Sequence, residues 1–203
     1  MENKLKKINK VITNAIRVLI IILIVFMAYK RNYEYASILI ITMVLTFYEA
    51  FLNKILKINL SEKLKISLIL FIAGAQIFGT VLEFYHKFLW WDTMLHLVSG
   101  IIAYFVGETV IKQINEKTTK ANISIIIIIA FSIFFALASG VAWEIFEFVV
   151  DISLGQDMQI TEGLSGRDAV MDTMIDLISL TLGIIIISAV DIYRKIHKKF
   201  IKD

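Results

Sequence analysis

The sequence predicts an all-α fold, a polytopic membrane helical bundle of six transmembrane helices with both termini cytoplasmic. Three observations predict it. Of 203 residues, 58% are hydrophobic, and lipid is the solvent that accepts apolar side chains all round a helix. The apolar residues fall in runs of about 20, the length that crosses a bilayer. Lys and Arg gather at the ends of alternate runs, which orients those runs.

The first predicted span, 11–29, follows the basic stretch MENKLKKINK. No small-x-small cleavage site follows its apolar core, so it is expected to stay attached. The second, 35–55, contains Glu49. The third is 65–85, and the fourth, 92–112, begins beside the polar-aromatic stretch LWWD. The fifth, 122–150, would be about 43 Å long at about 1.5 Å per residue, so it should tilt or protrude. The sixth is 168–193. One transmembrane domain, 1–203, accounts for the chain, with no repeat, linker or soluble domain. There is no proline, so kinks are expected at glycines. The absence of cysteine excludes disulfides and thiolate chemistry. Lysines flank apolar runs instead of alternating with aromatics, so no nucleic-acid partner is predicted.

With the N-terminus inside, sixteen of the 21 basic residues lie in cytoplasmic segments. They are Lys4, Lys6, Lys7 and Lys10; Lys54, Lys57, Lys63 and Lys65; Lys112, Lys117 and Lys120; and Arg194, Lys195, Lys198, Lys199 and Lys202. Only Lys30, Arg31, Lys87 and Arg167 fall outside, with Arg17 inside the first span. That asymmetry follows the positive-inside rule, and Trp90, Trp91 and Trp143 fall near the predicted outer interface.

Against this map, four predicted helices carry one polar stripe each, always in the outer half. Gln76, Thr80, Glu83 and His86 or Lys87 end the third span. Asp92, His96 and Ser99 open the fourth, while Glu144, Glu147 and Asp151 end the fifth. Asp168, Asp172 and Asp176 open the sixth. Residues three or four apart share a helix face. An acidic residue at a helix centre costs roughly 2.5–3.5 kcal/mol to insert. Glu83, Asp92, Glu144, Glu147, Asp172 and Asp176 must therefore face one another, a water-filled cavity or a cation. The cations nearby, His86, Lys87, His96 and Arg167, are fewer than the acids. A divalent metal ion, trapped protons or a cationic ligand would each make up the deficit. Gly100 and Gly140, one turn deeper than His96 and Glu144, would let the helices close beneath the site.

Three blocks, WWDTMLHLVSG (90–100), VAWEIFEFVVD (141–151) and SGRDAVMDTMIDLISLTLG (165–183), carry a resemblance. Together they resemble the YjdF-like bacterial inner-membrane proteins and, more distantly, the VanZ-like proteins associated with glycopeptide resistance. The matching positions are Asp92 and His96, then Glu144 and Glu147, then Arg167, Asp172, Asp176 and Gly183. Glu147 and Asp176 stand where the VanZ-like pattern has Gln and Asn, which favours the YjdF-like branch. The resemblance covers about 83–185. It implies a multi-pass protein of the bacterial cytoplasmic membrane and names no reaction.

The site residues expected to carry catalysis or a metal are Asp92, His96, Glu144, Glu147, Asp172 and Asp176, with Glu83, His86 and Arg167 accessory. Each has a structural reading beside the functional one. Asp92 and His96 could cap a helix as an acid–imidazole pair, Asp168 suits the helix dipole, and Arg167 could pair with Asp172 or Glu147. Ser165 to Asp168 reads as a capping box. The loop 151–167 reads as an ordinary solvated connection, with a lid as the alternative. Arg17, Glu49, Glu108 and Asp191 read as ion pairs between spans, Arg17 with Glu49 for example.

Three functions fit. One is a membrane-embedded hydrolase or transferase acting on a lipid or cell-envelope headgroup at the outer face, although no HExxH or GxSxG is present. The others are a cation- or proton-coupled transporter, and a binder of an envelope ligand. A polar cluster that only holds the helices together stands against all three.

Overall fold

A computed structural model describes residues 2–118, 121–155, 157–159 and 166–200. The predicted capping box at Ser165 and most of the loop after residue 159 lie outside the described residues. Every element is helical. They are α1 (Glu2–Tyr29), α2 (Tyr33–Leu45), α3 (Tyr48–Phe51) running into a π-helical turn (Leu52–Leu56), and α4 (Glu62–Ile72) continuing as a π-helix (Ala73–Val81). Then follow α5 (Phe84–Lys87), α6 (Trp90–Lys117), α7 (Ile125–Leu154) and α8 (Gly166–Phe200). Among the described residues, five helices are long and apolar enough to cross a membrane, and the bent pair α2–α3 makes a sixth if it counts as one span.

Short polar caps stop and start these helices. Asn32, Ser61 and Ser124 accept from the backbone N–H groups of Tyr35, Leu64 and Ile127 respectively, taking up donors that a first turn leaves unpaired. Gly155, at φ 63°, closes α7 in the left-handed conformation that a C-terminal cap requires. Burial is inverted relative to a soluble protein. Val25, Ile126 and Phe134 stand exposed, while Thr42, Ser132, Glu144 and Asp176 are buried. That is the pattern of a chain whose solvent is hydrocarbon.

The fold groups into two compact units, 1–91 and 92–203. In the first, Ile20, Leu39, Ala73, Ile77 and Val81 form the core. Its half-buried carboxylates are matched. The Asn9 amide donates to Glu49 (3.2 Å) and Glu62 (3.1 Å), and Lys65 bridges the same two carboxylates. Glu49 is therefore the partner of Lys65, and the expected pairing of Arg17 with Glu49 is wrong. Arg17 instead donates to Thr46 Oγ1 at 3.0 Å and to the Thr46 carbonyl at 2.9 Å, with its guanidinium 4.0 Å from the centroid of the Phe47 ring.

This contact accounts for the break in the second span. The Ala50 N–H bonds to Phe47 and not to Thr46, so the Thr46 carbonyl leaves the helical ladder and Arg17 satisfies it. The helix bends by 40° there, with no glycine at the break, which corrects the expectation that only glycines would kink these helices. Arg17→Met should leave that buried carbonyl unpaired at a cost of about 1–3 kcal/mol. Thermal unfolding in detergent measures this loss, and Arg17→Lys should recover only part of it, lacking the planar fork.

In the second unit, Tyr104, Ala136, Leu180 and Ile184 form the core. Gly100 and Gly183 set the approach of α6 to α8. A Cβ on Gly183 would collide with the Leu97 carbonyl, and one on Gly100 with the Leu180 carbonyl. Gly140 faces the Leu180 side chain. Two helices thus touch backbone to backbone, as small residues permit in membranes. Farther along α6, Tyr104 donates to Asp191 (2.8 Å), and Lys195 bridges Glu108 and Asp191. The expected ion pairing of Glu108 and Asp191 between spans takes this form.

Candidate cation site

Helix α6 supplies Asp92 and His96 from its first two turns, one above the other at i and i+4. Helix α7 supplies Glu144 and Glu147, and α8 supplies Asp172 and Asp176. Glu144 lies ten residues before the end of α7, and Asp176 ten residues into α8. Both are therefore about 15 Å from a helix end at about 1.5 Å per residue. The backbone contacts at Gly100 and Gly183, one and two turns away, hold α6 and α8 at the distance at which these side chains meet.

His96 is 6% exposed, Glu144 4%, Glu147 5% and Asp176 1%. The imidazole sits between acids. Its Nε2 lies 3.6 Å from Asp92 Oδ1 and its Nδ1 lies 3.5 Å from Glu144 Oε1. One ligand atom each from Asp92, His96 and Asp176 lie within 4.8 Å of one another, as do one each from His96, Glu144 and Glu147. Trp143 donates its indole N–H to Glu147 Oε1 at 2.8 Å, which fixes that carboxylate.

Five buried carboxylate oxygens here lack a hydrogen bond of normal geometry: both of Glu144, which the Thr173 hydroxyl approaches, Glu147 Oε2, Asp172 Oδ2 and Asp176 Oδ2. Among the described residues the other buried orphan is Trp91 Nε1. The charged networks around Asn9 and around Lys195 are paired throughout, so acids lacking such bonds are particular to this site. The geometry is informative too. Separations of 3.5 and 3.6 Å exceed a normal N–H···O bond of about 2.7–3.2 Å. They match the spacing of about 3.4 Å expected for two ligands about 2.1 Å from one ion at a tetrahedral angle. The donor set is one imidazole with carboxylates and no thiolate, which suits manganese, zinc or magnesium.

Glu83 and His86 belong to the first unit and are exposed, with Glu83 at φ 61° and 3.1 Å from Lys87 Nζ. The stripe they were expected to continue runs through the π-helix, whose i→i+5 bonds alter the spacing of a helix face. Arg167 is exposed in the first turn of α8, and no ion pair joins it to Asp172 or Glu147. Asp151 accepts from the backbone N–H groups of Met158 (2.7 Å) and Gln159 (2.9 Å) and so organises the turn after α7. Gln159 is a residue that sequence reasoning missed. It is buried, and its side chain donates to Thr173 on α8, between Asp172 and Asp176. Its spacing from the helices carries no periodic signal.

A family model described as "Predicted membrane protein (DUF2238)" matches residues 12–197, a range that contains every acid of the site. A Thermotoga maritima protein described as uncharacterized is 30% identical over 149 residues, covering 73% of this chain and 71% of that protein. No solved structure matches the chain. The family match spans most of the chain, and apolar helices account for that length: the protein belongs to the DUF2238 family of predicted membrane proteins.

Proposed function

We propose that this protein binds a divalent cation inside the membrane, at His96 with Glu144, Glu147, Asp92, Asp176 and Asp172, and uses it to hold an anionic lipid or envelope headgroup. The chain forms one six-span transmembrane domain in the cytoplasmic membrane of a bacterium, with both termini inside. That orientation rests on the basic residues of the inner loops, and the YjdF-like resemblance and the bacterial relative support the location. The site then opens toward the outer leaflet.

The observation that carries this reading is the set of five carboxylate oxygens without a normal hydrogen bond. A buried polar group without a partner costs about 1–3 kcal/mol, more when charged, and hydrocarbon offers no water in compensation. A divalent ion would satisfy several of these oxygens at once and offset two of the five carboxylate charges gathered here. Bound there, it would supply Lewis-acid polarisation of a phosphate or carboxylate oxygen. The chain's own part is to hold the ligands. Trp143 and the backbone contacts at Gly100 and Gly183 fix where the carboxylates stand, and the surrounding apolar helices exclude water.

Thermal unfolding of the detergent-solubilised protein tests the reading. Manganese or zinc at about 100 times its dissociation constant adds about 2.7 kcal/mol, so the midpoint should rise by several degrees and fall back on addition of EDTA. A midpoint unmoved by manganese, zinc, magnesium or calcium would overturn the reading.

A further inference from the structure

We propose that the site offers two cation stations, one on each ring nitrogen of His96, of which one ion occupies one at a time. The inference rests on the cation reading above and adds where the ion sits and how it moves.

The buried imidazole presents Nε2 toward Asp92 and Nδ1 toward Glu144. These nitrogens point out of different edges of a rigid ring, so the two carboxylates lie on different sides of it. Two trios of ligands share this ring, one containing the acid at Nε2 and the other the acid at Nδ1. Asp92 and Asp176 join His96 in one, and Glu144 and Glu147 join it in the other. Neither trio needs an acid from the other, and the only shared residue is the histidine. Glu144 is 4% exposed with both oxygens lacking a normal hydrogen bond, and Asp176 is 1% exposed with one, so each trio has an acid short of such bonds.

The chemistry of imidazole makes the stations exclusive. A neutral ring has one nitrogen with a free lone pair and one that carries a proton. An ion on Nδ1 would leave the N–H on Nε2, facing Asp92 at 3.6 Å, and a small closure of that gap would form the hydrogen bond that fixes the ring's tautomer. An ion on Nε2 turns the N–H toward Glu144 instead. Each acid group thus serves as ligand in one state and as the anchor of the ring in the other. Two ions at once would require a ring stripped of its remaining proton and two double charges across one five-membered ring in a medium of low dielectric.

Passage from one station to the other would move the ion across the ring, the nitrogen that receives it giving its proton to the carboxylate it faces and the opposite nitrogen taking a proton from the carboxylate on its own side. No bond to carbon changes, and charge is conserved. The ion crosses from the Asp92–Asp176 side to the Glu144–Glu147 side without meeting lipid. Asp172 belongs to neither trio, lies one turn nearer the start of α8 than Asp176, and has a buried oxygen without a partner. It is placed to pass an ion inward.

Manganese binding to the full-length protein in detergent tests the proposal, measured as ions retained per chain after gel filtration and as the dissociation constant. One ion per wild-type chain is expected. The paired variants Asp92→Asn with Asp176→Asn, and Glu144→Gln with Glu147→Gln, should each still bind one ion about tenfold more weakly, and the quadruple variant none. Two ions per wild-type chain would overturn exclusivity. Complete loss in either folded pair would mean a single composite site, leaving the cation reading intact. No binding by the wild type would overturn both. Where a pair fails to fold, the wild type labelled with 15N-histidine and titrated with zinc decides. Two sets of metal-shifted ring signals for His96, one for each nitrogen, are expected, and a single set would overturn the proposal.

Discussion

Valine in place of Gly183 is expected to lower the stability of the detergent-solubilised protein by about 3 kcal/mol, the upper end of overpacking costs. For a chain of this size that is roughly 10 °C in the thermal midpoint. It should also abolish the stabilisation by divalent cations. The reason is what a side chain at Gly183 would meet. Its Cβ collides with the Leu97 carbonyl, with the Leu97 carbonyl carbon at 3.0 Å and its Cα at 3.4 Å. These are backbone atoms, which cannot rotate away, so α6 and α8 must separate. His96 precedes Leu97, and Asp176 lies two turns before Gly183. Widening the crossing therefore pulls the Asp92–His96 pair off the acids of α8. Gly100→Val should behave alike, because it meets the Leu180 carbonyl. Gly140→Ala should cost less, since the Leu180 side chain that it meets can shift. Gly166→Ala should be neutral, because a Cβ there meets nothing within 4 Å. Thermal midpoints with and without manganese, compared across the four variants, check this ranking. Equal effects at all four glycines would contradict it.

Leucine in place of His96 is expected to weaken divalent-cation binding by about 100-fold or more. Loss of a group that merely orients a ligand costs 10–100-fold, and His96 is the one residue common to both ligand trios. The informative readout is the difference between midpoints with and without manganese, not the midpoint itself. A histidine that only packed the core would shift both values together and leave their difference intact. Trp143→Phe is a milder companion. It removes the hydrogen bond that fixes Glu147 while keeping an aromatic ring, and should weaken binding by about tenfold.

Much of the helical architecture was legible because a bilayer imposes one simple length on apolar runs. The spans expected at 11–29, 92–112 and 168–193 fall within α1, α6 and α8, that at 122–150 starts three residues before α7, and that at 65–85 overlaps α4 and its π-helical continuation. The second span was only partly legible. Its break at Thr46 is caused by a guanidinium from a different helix, and no local pattern of residues announces that. The π-helix at Ala73–Val81 was equally silent, and with it the true setting of Glu83 and His86.

The site was legible as stripes. Acids at steps of three and four on α6, α7 and α8 belong on one face by geometry alone, and the structure brings Asp92, His96, Glu144, Glu147 and Asp176 together. Hidden from the sequence was which polar groups find partners. Asp151 continues the α7 stripe as plainly as Glu147, yet its oxygens organise a turn. Glu49 and Glu108 look as exposed to lipid as Glu144, yet lysines meet them. Only side-chain geometry separates matched acids from unmatched ones.

The measurement that tests the cation centre most directly is elemental mass spectrometry of the protein purified in detergent without chelator, with His96→Leu prepared alongside. One equivalent of manganese, zinc or magnesium per wild-type chain, lost in the variant, is the result expected. A folded wild-type protein that carries no divalent metal, and takes up none after dialysis against manganese or zinc, would contradict it. The acids would then share protons among themselves.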